Sequence, residues 1–362
     1  MRKLATVRKI DAIDPIEGAD AIEVATVGGW KVVVKKNEYN VNDLAVYCEI
    51  DSWIPTELAP FLSKGTEPRE YNGVRGERLR TVKLRGQLSQ GLLLPIPSEW
   101  IYVGDRKDAY SIPTEDGIIN HGYTIAYKVG SCVTKRLGIQ KWEAPIPAQL
   151  AGQVRGNFPT AVPKTDQERI QNLTAEFEEY KAKGLRFEMT EKLDGSSCTF
   201  YLPVEGDFEV CSRNLSLKED PNNSFWKVAL AYQVKERMIL AGLEGYAIQG
   251  ELIGEGIQKN PYGLKGQDFY VFDMYNTKTG KYLCAKKRAE ITTLLGLNHT
   301  PVLAEEASIS ANVSVADLLK MAEAKSVLNN KAEREGIVFK CVEDPSISFK
   351  AISNKFLLKG GE

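Results

Sequence analysis

Short alternating runs of apolar and polar residues dominate the first ~145 residues and predict β-strands rather than helices. Residues 21–27 alternate, Gly28 and Gly29 form a two-residue turn signal, and residues 30–34 alternate again. This is the pattern of a β-hairpin. Further runs of the same kind cover residues 44–50, 79–84 and 91–95. About five strands with long loops predict a small barrel. An OB-like barrel is favoured, and an SH3-like or other small β-barrel is the alternative.

A proline-rich segment separates this region from the rest of the chain. Residues 143–163 contain four prolines and show no periodicity, which is typical of a domain boundary. We therefore predict a first domain over residues 1–145, a linker over residues 146–163 and a second domain over residues 164–362.

The second domain mixes helical and strand-like patterns. Thr165–Glu168 has the form of a helix-capping box and predicts a helix that ends at Gly184. Its apolar face would carry Ile170, Leu173, Phe177 and Tyr180. Two more helices are predicted over residues 225–241 and 315–328, and strands over residues 187–190, 246–248, 269–272 and 336–339.

Composition narrows the chemistry that this chain can perform. With 362 residues, 43% hydrophobic and 26% charged, it has the profile of an ordinary soluble globular protein. No apolar run is long enough for a membrane helix and the first residues do not resemble a signal peptide, so we expect an intracellular, cytoplasmic protein. The six cysteines lack metal-site or disulfide spacing. His121 and His299 are interpreted as surface or loop residues. The chemistry of this chain is therefore expected to use lysine, carboxylates and a hard metal.

A local basic run stands out against a net charge of −1. Arg78 and Arg80, and likewise Lys83 and Arg85, have the i, i+2 spacing that puts two side chains on one face of a strand. One interpretation is an edge strand protected from aggregation by its charges. The other is contact with a phosphate backbone, and these four cations are the candidates for nucleic-acid binding.

The motif that carries chemistry is Lys192-Leu193-Asp194-Gly195, which follows the strand predicted over residues 187–190. A lysine beside an acidic residue and a close-approach glycine is a suitable covalent nucleophile toward a nucleotide phosphate. The tetrad alone is a weak signal. Five further segments follow it in order, at residues 212–214, 249–252, 269–273, 335–340 and 348–350.

This ordered series resembles the motif set of the covalent nucleotidyltransferases, which comprise DNA ligases, RNA ligases and mRNA capping enzymes. DNA ligases and capping enzymes typically have arginine where this chain has Ser197, and they usually carry the OB domain after the catalytic domain. Both departures favour the RNA ligases, specifically the Deinococcus-type ATP-dependent group with an N-terminal OB domain. The resemblance implies an α+β protein, with an N-terminal OB-like β-barrel followed by a mixed α/β nucleotidyltransferase domain.

The resemblance also implies an activity. An ATP-dependent RNA ligase would seal 3′-OH/5′-phosphate nicks through lysyl-AMP and an adenylylated 5′-end. The expected cofactors are ATP and Mg²⁺ or Mn²⁺, and the expected partner is a nicked duplex with an RNA 3′-OH end, bound by a monomer. The alternatives are an ATP-dependent DNA ligase, a GTP-using capping guanylyltransferase, and a non-catalytic nucleic-acid-binding OB protein.

Site residues follow from the chemistry and the resemblance together. Lys192, Asp194 and Lys350 are the expected catalytic residues, with Lys350 stabilising the α-phosphate. A lysine nucleophile must lose its proton, which a nearby divalent cation favours. The carboxylates expected to hold that cation, directly or through water, are Asp194, Glu251 and Glu335. The other expected ATP contacts are Glu191, Arg169, Arg213, Glu251, Phe272, Glu335 and Lys340.

Overall fold

The computed structural model of the chain describes residues 3–97, 100, 111–114, 117–120, 124–143 and 152–359. The chain divides into two compact units between Pro145 and Ile146. His121 lies outside the described residues. Within the described ranges, none of the helices combines the length and the apolar character that crossing a bilayer requires.

The first unit contains strands and no α-helix among its described residues, as the alternating pattern predicted. Its strands are β1 (Ala5–Lys9), β2 (Ala12–Pro15), β3 (Ile22–Val27), β4 (Trp30–Lys35), β5 (Leu44–Cys48), β6 (Ser52–Pro55), β7 (Arg69–Tyr71), β8 (Val74–Arg78), β9 (Val82–Leu84), β10 (Gln87–Ser89), β11 (Leu92–Pro95), β12 (Ser111–Thr114), β13 (Gly117–Asn120), β14 (Thr124–Ala126) and β15 (Gln140–Lys141). A short 3-10 turn covers Pro60–Ser63.

Antiparallel pairing organises these strands into small sheets. The orders are β1-β5-β11, β2-β3-β4, β15-β6-β8-β7, β12-β13-β14 and the pair β9-β10. The predicted hairpin is confirmed, since Val27 pairs with Trp30 across Gly28 and Gly29. Their φ angles of 56° and 87° are left-handed, which the turn requires and glycine permits.

The basic run does not form the strands that its spacing predicted. β8 ends at Arg78 and β9 spans only Val82–Leu84, so Arg80 lies between strands. Leu79 is buried, and its backbone bonds to Asp51 and Ser52 extend the contact with the start of β6 by one residue, after which Arg80 leaves it. Arg85 has a φ of 50° in the turn to β10. The prediction of two cations on one strand face is therefore wrong for both pairs.

The second unit contains two sheets and six α-helices among its described residues. Its strands are β16 (Val154–Asn157), β17 (Glu168–Arg169), β18 (Arg186–Lys192), β19 (Ser196–Leu202), β20 (Glu209–Cys211), β21 (Leu215–Leu217), β22 (Tyr246–Gly254), β23 (Gln267–Asn276), β24 (Lys281–Tyr282), β25 (Asn298–His299), β26 (Val302–Ser308), β27 (Gly336–Cys341) and β28 (Ser348–Ile352). Its helices are α1 (Thr174–Ala182), α2 (Ser224–Ala231), α3 (Val234–Leu240), α4 (Ala285–Leu294), α5 (Val315–Ala322) and α6 (Asn354–Leu358).

Each sheet has its own hydrophobic core. The larger sheet has the order β16-β21-β20-β19-β22-β23-β24, with β25 beside β23, and its core packs apolar side chains of α2, α3 and α4. The smaller sheet has the order β17-β28-β27-β18-β26. It packs Phe187, Phe339 and Phe349 against apolar residues of α1 and α5. A mixed α/β architecture results, with β18 and β19 carrying the chain from one sheet into the other.

Several predicted elements differ from the observed ones. The pattern at Thr165 does not open a helix, because the Thr165 hydroxyl lies 2.8 Å from the Ser197 hydroxyl and residues 168–169 form β17. Helix α1 begins only at Thr174, although Gly184 does follow its end with a φ of 63°. The helix predicted over residues 225–241 is two helices, separated at Gln233, whose φ is 52°.

Two further elements differ in their extent from the predictions. Helix α5 begins at Val315 as predicted, after a capping box of Ser314 and Asp317, although it ends at Ala322 rather than at residue 328. Residues 154–162 of the segment expected as a linker belong to the second unit. There β16 pairs with β21, and Phe158 and Val162 are buried against the larger sheet.

Buried charges connect the two sheets of the second unit. Lys340 on β27 of the smaller sheet forms an ion pair with Asp273 on β23 of the larger sheet, and both side chains are 6% exposed. Arg288 on α4 is fully buried, forms an ion pair with Glu188 on β18 and donates from Nε to His299 Nε2 at 3.0 Å. His299 was interpreted as a surface or loop residue, and it instead accepts a hydrogen bond within this network.

Replacing one partner of the buried Lys340–Asp273 pair should destabilise the second unit more than replacing both. Lys340→Met leaves the Asp273 carboxylate buried without its cation, and we expect a loss of about 3–5 kcal/mol in the free energy of unfolding. The double change Lys340→Met with Asp273→Leu should restore much of that loss, since no uncompensated charge remains. Urea unfolding measures both. The exposed pair Lys287–Glu290 supplies the control, because Lys287→Met should cost less than about 1 kcal/mol. Equal losses in the single and double variants would contradict this account.

Candidate active site

Lys192 and Glu335 meet at the ends of two paired strands. Residues 187–191 of β18 are buried, and Lys192 ends the strand opposite Gly336, the first residue of β27. The Nζ atom of Lys192 lies 2.5 Å from Oε1 of Glu335, and these side chains are 23% and 10% exposed. A Cβ at Gly336 would lie 2.3 Å from the Ala351 carbonyl oxygen, so only glycine allows β28 to approach at this point.

A tight turn brings Asp194 and Glu251 to the same place. A Cβ at Gly195 would lie 2.4 Å from the Leu252 carbonyl oxygen and 2.9 Å from Cγ of Glu251. Glycine is therefore required where the chain turns from β18 into β19, and β19 then pairs with β22, with Ser197 opposite Glu251. The glycine of the motif thus serves close backbone approach, as the sequence predicted.

The electrostatics of this cluster favour a protonated lysine in the absence of a ligand. Burial acts to lower the pKa of Lys192, but Glu335, Glu251 and Asp194 outweigh it and hold that pKa above its usual value. Burial, with smaller effects of Glu335 and Asp194, raises the pKa of Glu251 to about 8 against the opposing effect of Lys192. Three carboxyl groups thus surround the Lys192 ammonium.

The three carboxylates fit a cation without forming a metal centre of three direct ligands. Over the part of the chain that the structure describes, no three His, Cys, Asp or Glu side chains are placed to hold a metal ion together. The Oε2 atom of Glu335 is nevertheless buried without a hydrogen-bond partner, and Glu251 is destabilised as an anion. Mg²⁺ and Mn²⁺ suit oxygen ligands, and Mg²⁺ commonly uses one or two carboxylates and keeps several waters. The residues present fit that mode of binding.

Two further cations stand beside Lys192. Strand β17 runs parallel to β28, which puts Arg169 opposite Lys350. Arg169 is 6% exposed. Burial, followed by the neighbouring charges of Lys192 and Arg169, lowers the pKa of Lys350 to about 8. Three clustered cations with little solvent around them are a favourable site for a phosphate group.

Arg213 and Phe272 lie on the larger sheet's side of the unit. Arg213 is exposed, and its Nη2 atom lies 2.7 Å from both carboxylate oxygens of Asp166. The Asp166 carboxylate also acts to raise the pKa of Lys350, so Asp166 lies near both Arg213 and the cation cluster. Asp166 was not among the predicted site residues, because the segment around it was interpreted as the start of a helix. Phe272 lies half-buried on β23.

Two residues predicted to contact ATP form a hydrogen bond or an ion pair with other parts of the protein. The Glu191 carboxylate points into the segment after α5, where Oε2 accepts a hydrogen bond from the Val327 backbone N–H at 2.7 Å. Lys340 is buried in its ion pair with Asp273, and Asp273, Arg288 and Glu188 are the charges that act on it. The Lys340 ammonium thus binds a carboxylate of the opposite sheet, and its contact with ATP stays a prediction.

Tyr262 belongs to this site although nothing in the sequence pointed to it. Its hydroxyl accepts a hydrogen bond from the Asp194 backbone N–H at 2.6 Å, and its ring packs with Leu193 and Ile253. It lies in the loop between β22 and β23, 68 residues from Asp194. No local pattern could have revealed this contact, since it depends on how the loop folds.

Comparison with known proteins agrees with this geometry. A family model described as an OB-fold domain matches residues 4–96, and one described as RNA ligase matches residues 185–354. No curated protein matches the chain.

Solved structures of an RNA ligase from Naegleria gruberi match the full length of the chain. A point variant of that enzyme with AMP and manganese is 41% identical, has a TM-score of 0.79 and is covered completely, as is this chain. Another variant, with ATP and manganese, is 41% identical with a TM-score of 0.78, over 99% of this chain and 100% of that one. The same ligase with pyrophosphate is 42% identical with a TM-score of 0.77, over 99% of each chain. On this similarity and on the two domain matches, the chain belongs to the RNA ligase family and joins an N-terminal OB-fold domain to a mixed α/β ligase domain.

Proposed function

We propose that this protein is an ATP-dependent RNA ligase that seals 3′-OH/5′-phosphate nicks through a lysyl-AMP intermediate on Lys192. The observation that carries the proposal is the cluster at the end of β18, where Lys192 lies 2.5 Å from Glu335 and shares its surroundings with Glu251, Asp194 and Lys350. The relative with ATP and manganese supports the same substrate and metal here. A monomeric state and a cytoplasmic location stay predictions of the sequence.

The residues divide the first step among themselves. The Lys192 amine, after losing a proton, would attack the α-phosphorus of ATP, and the bond to the bridging oxygen would break as pyrophosphate leaves with that electron pair. Lys350 and Arg169 would hold the phosphate oxygens and the charge that builds on them. A divalent cation near Glu251, Asp194 and Glu335 would neutralise phosphate charge and favour the neutral amine.

The later steps would use the same pocket. The AMP would pass from Lys192 to the 5′-phosphate of the nick, and the 3′-hydroxyl would then displace AMP to form the phosphodiester bond. Phe272 is proposed to stack on the adenine. Arg213 is proposed to reach the ribose or a phosphate once it leaves Asp166, an exchange of one anion for another that costs little at an exposed position.

The first unit is proposed to contact the nicked duplex through only part of its basic run. Arg78 is engaged, since its Nε donates to Asp51 at 2.9 Å and its guanidinium lies 3.9 Å from the Trp142 ring centroid. Arg75 pairs with Glu67. Arg80, Lys83 and Arg85 are exposed, and among the described residues no carboxylate forms an ion pair with them. These three cations on and before the β9–β10 hairpin are the ones available to phosphates.

Covalent labelling tests the proposed nucleophile. Incubation of the protein with α-labelled ATP and Mg²⁺ or Mn²⁺ should leave label on the denatured chain, because the phosphoramidate survives unfolding. Lys192→Ala should abolish the label, whereas the exposed Lys287→Ala should retain it. Labelled GTP in place of ATP should give none, which separates the ligase from a guanylyltransferase. Label that persists in Lys192→Ala would rule out this assignment.

Replacement of Lys350 tests the proposed phosphate contact. Lys350→Ala removes the cation and Lys350→Arg keeps the charge but not the compact ammonium, so both should slow lysyl-AMP formation. We expect the alanine variant to lose about 100-fold or more at saturating ATP, as for the loss of one strong charge-stabilising donor. Unchanged labelling of Lys350→Ala would remove it from the site.

Neutralising the hairpin cations tests the nucleic-acid contact. Changing Arg80, Lys83 and Arg85 to Gln should weaken binding of a nicked duplex and flatten its dependence on salt. The slope of log affinity against log salt should fall by just under 1 for each phosphate that the hairpin no longer neutralises. Lysyl-AMP formation should not change. Arg69→Gln with Arg75→Gln is the matched control, since Glu77 and Glu67 already neutralise these cations. If the control variant weakens duplex binding equally, the effect reflects the overall charge of the first unit rather than a contact of the hairpin.

A further inference from the structure

The loop between β22 and β23 holds an uncommon backbone conformation. Gln258, Lys259 and Asn260 have φ angles of 43°, 60° and 49°, so three successive residues with side chains are left-handed. Such residues normally occur singly, because the Cβ atom crowds the following carbonyl oxygen. A run of three persists only where the surrounding structure enforces it, and such strain is characteristic of functional sites.

Specific hydrogen bonds enforce this conformation. The Asn260 side chain donates to the Leu264 carbonyl at 2.8 Å and accepts from the Leu264 N–H at 3.1 Å, which closes the tip of the loop on itself. The Asn260 N–H donates to the Ile257 carbonyl at 2.7 Å. From outside the loop, the Asn329 side chain donates to the Pro261 carbonyl at 2.9 Å. The loop is therefore a braced element rather than a loose connection.

The braced loop presents one side chain to the turn that follows Lys192. Tyr262 is 7% exposed and packs on Leu193 and Ile253. Its hydroxyl accepts from the Asp194 N–H at 2.6 Å, and Gln258 Nε2 lies 3.3 Å from the Gly195 carbonyl oxygen. One loop thus contacts both a donor and an acceptor of the same two-residue turn.

That turn lies just beyond the end of the strand ladder. The last paired residue of β18 is Lys192, opposite Gly336, so the ladder with β27 does not continue through Asp194. The direction of the Lys192 side chain depends on the backbone on both of its sides. The preceding side is held by the ladder with β27, whereas residues 193–195 on the following side belong to no strand ladder before β19 begins at Ser196. The Tyr262 hydroxyl supplies a fixed point on the following side.

We propose that Tyr262 is a positioning residue for Lys192, and that the strained loop of residues 255–266 exists to hold its hydroxyl against Asp194. The inference rests on the proposed lysyl-AMP chemistry. Without the hydroxyl, the Asp194 N–H loses its acceptor, the turn rearranges, and Lys192 spends less time aligned with the α-phosphorus. A misplacement of about 1 Å can lower a rate by about 100-fold without contact to the substrate.

The conservative change Tyr262→Phe removes one oxygen and keeps the packing. We expect the rate of lysyl-AMP formation at saturating ATP to fall about 10- to 100-fold, while KM for ATP changes by less than about threefold, because the binding groups stay in place. Tyr232→Phe is the matched control. Its hydroxyl also makes a 2.6 Å hydrogen bond, to Asp268 in the same unit, and its loss should leave the rate unchanged.

A second substrate separates positioning of Lys192 from a general loss of structure. Closure of a strand that already carries a 5′-adenylate does not use Lys192 as a nucleophile, so Tyr262→Phe should slow this reaction much less than lysyl-AMP formation. Asn260→Ala, which opens the brace and leaves Tyr262 in the chain, should show the same selective loss. Together these results would support the proposal.

Three results would overturn it. A wild-type rate of lysyl-AMP formation in Tyr262→Phe would remove the hydroxyl from any role. Equal losses in lysyl-AMP formation and in closure of the adenylated strand, with a lowered melting temperature, would make Tyr262 a packing residue only. A wild-type protein that forms no lysyl-AMP would overturn both this inference and the proposed function, whereas the first two results leave that function intact.

Discussion

The gathering of three carboxyl groups around Lys192 is the interaction on which the catalytic unit depends. Glu335, Glu251 and Asp194 together hold the pKa of Lys192 above its usual value despite burial, and Glu251 itself has a pKa raised to about 8. An arrangement of this kind is unfavourable for the protein alone, because buried carboxylates repel one another and lack water. A divalent cation bound there, as proposed, would relieve this repulsion.

Holding these charges together requires two sheets with a rigid relationship inside the second unit. Lys192 and Glu335 come from the smaller sheet, and Glu251 comes from the larger one. Gly195 allows the chain to cross between them at close range, and the buried pair of Lys340 and Asp273 joins the sheets a short distance along β27. A buried pair contributes little net stability but penalises every arrangement that separates its partners. Its role here is to fix geometry.

The candidate phosphate-binding cations of the two units differ in their exposure to solvent. In the second unit, Arg169 is buried and Lys350 beside it is half-buried. In the first unit, Arg80, Lys83 and Arg85 are exposed to solvent on and beside a short hairpin. Buried cations select one phosphate with defined geometry, whereas exposed cations attract a polyanion without reading its sequence. This division fits an enzyme that activates one phosphate on a long substrate.

The sequence alone predicted those features that depend on residues close to one another along the chain. Alternation and the Gly28-Gly29 turn predicted the β-rich first unit. The motif order predicted four residues that the structure brings together, since Lys192 ends β18, Glu335 borders β27, and Glu251 and Lys350 lie within β22 and β28. Interactions between distant segments decided the rest. Thr165 bonds to Ser197 instead of capping a helix, Lys340 is drawn to Asp273, and Arg78 to Asp51. Tyr262 reaches Asp194 only through a folded loop. Charge and hydrogen-bond partners are chosen by proximity in space, which spacing along a chain does not encode.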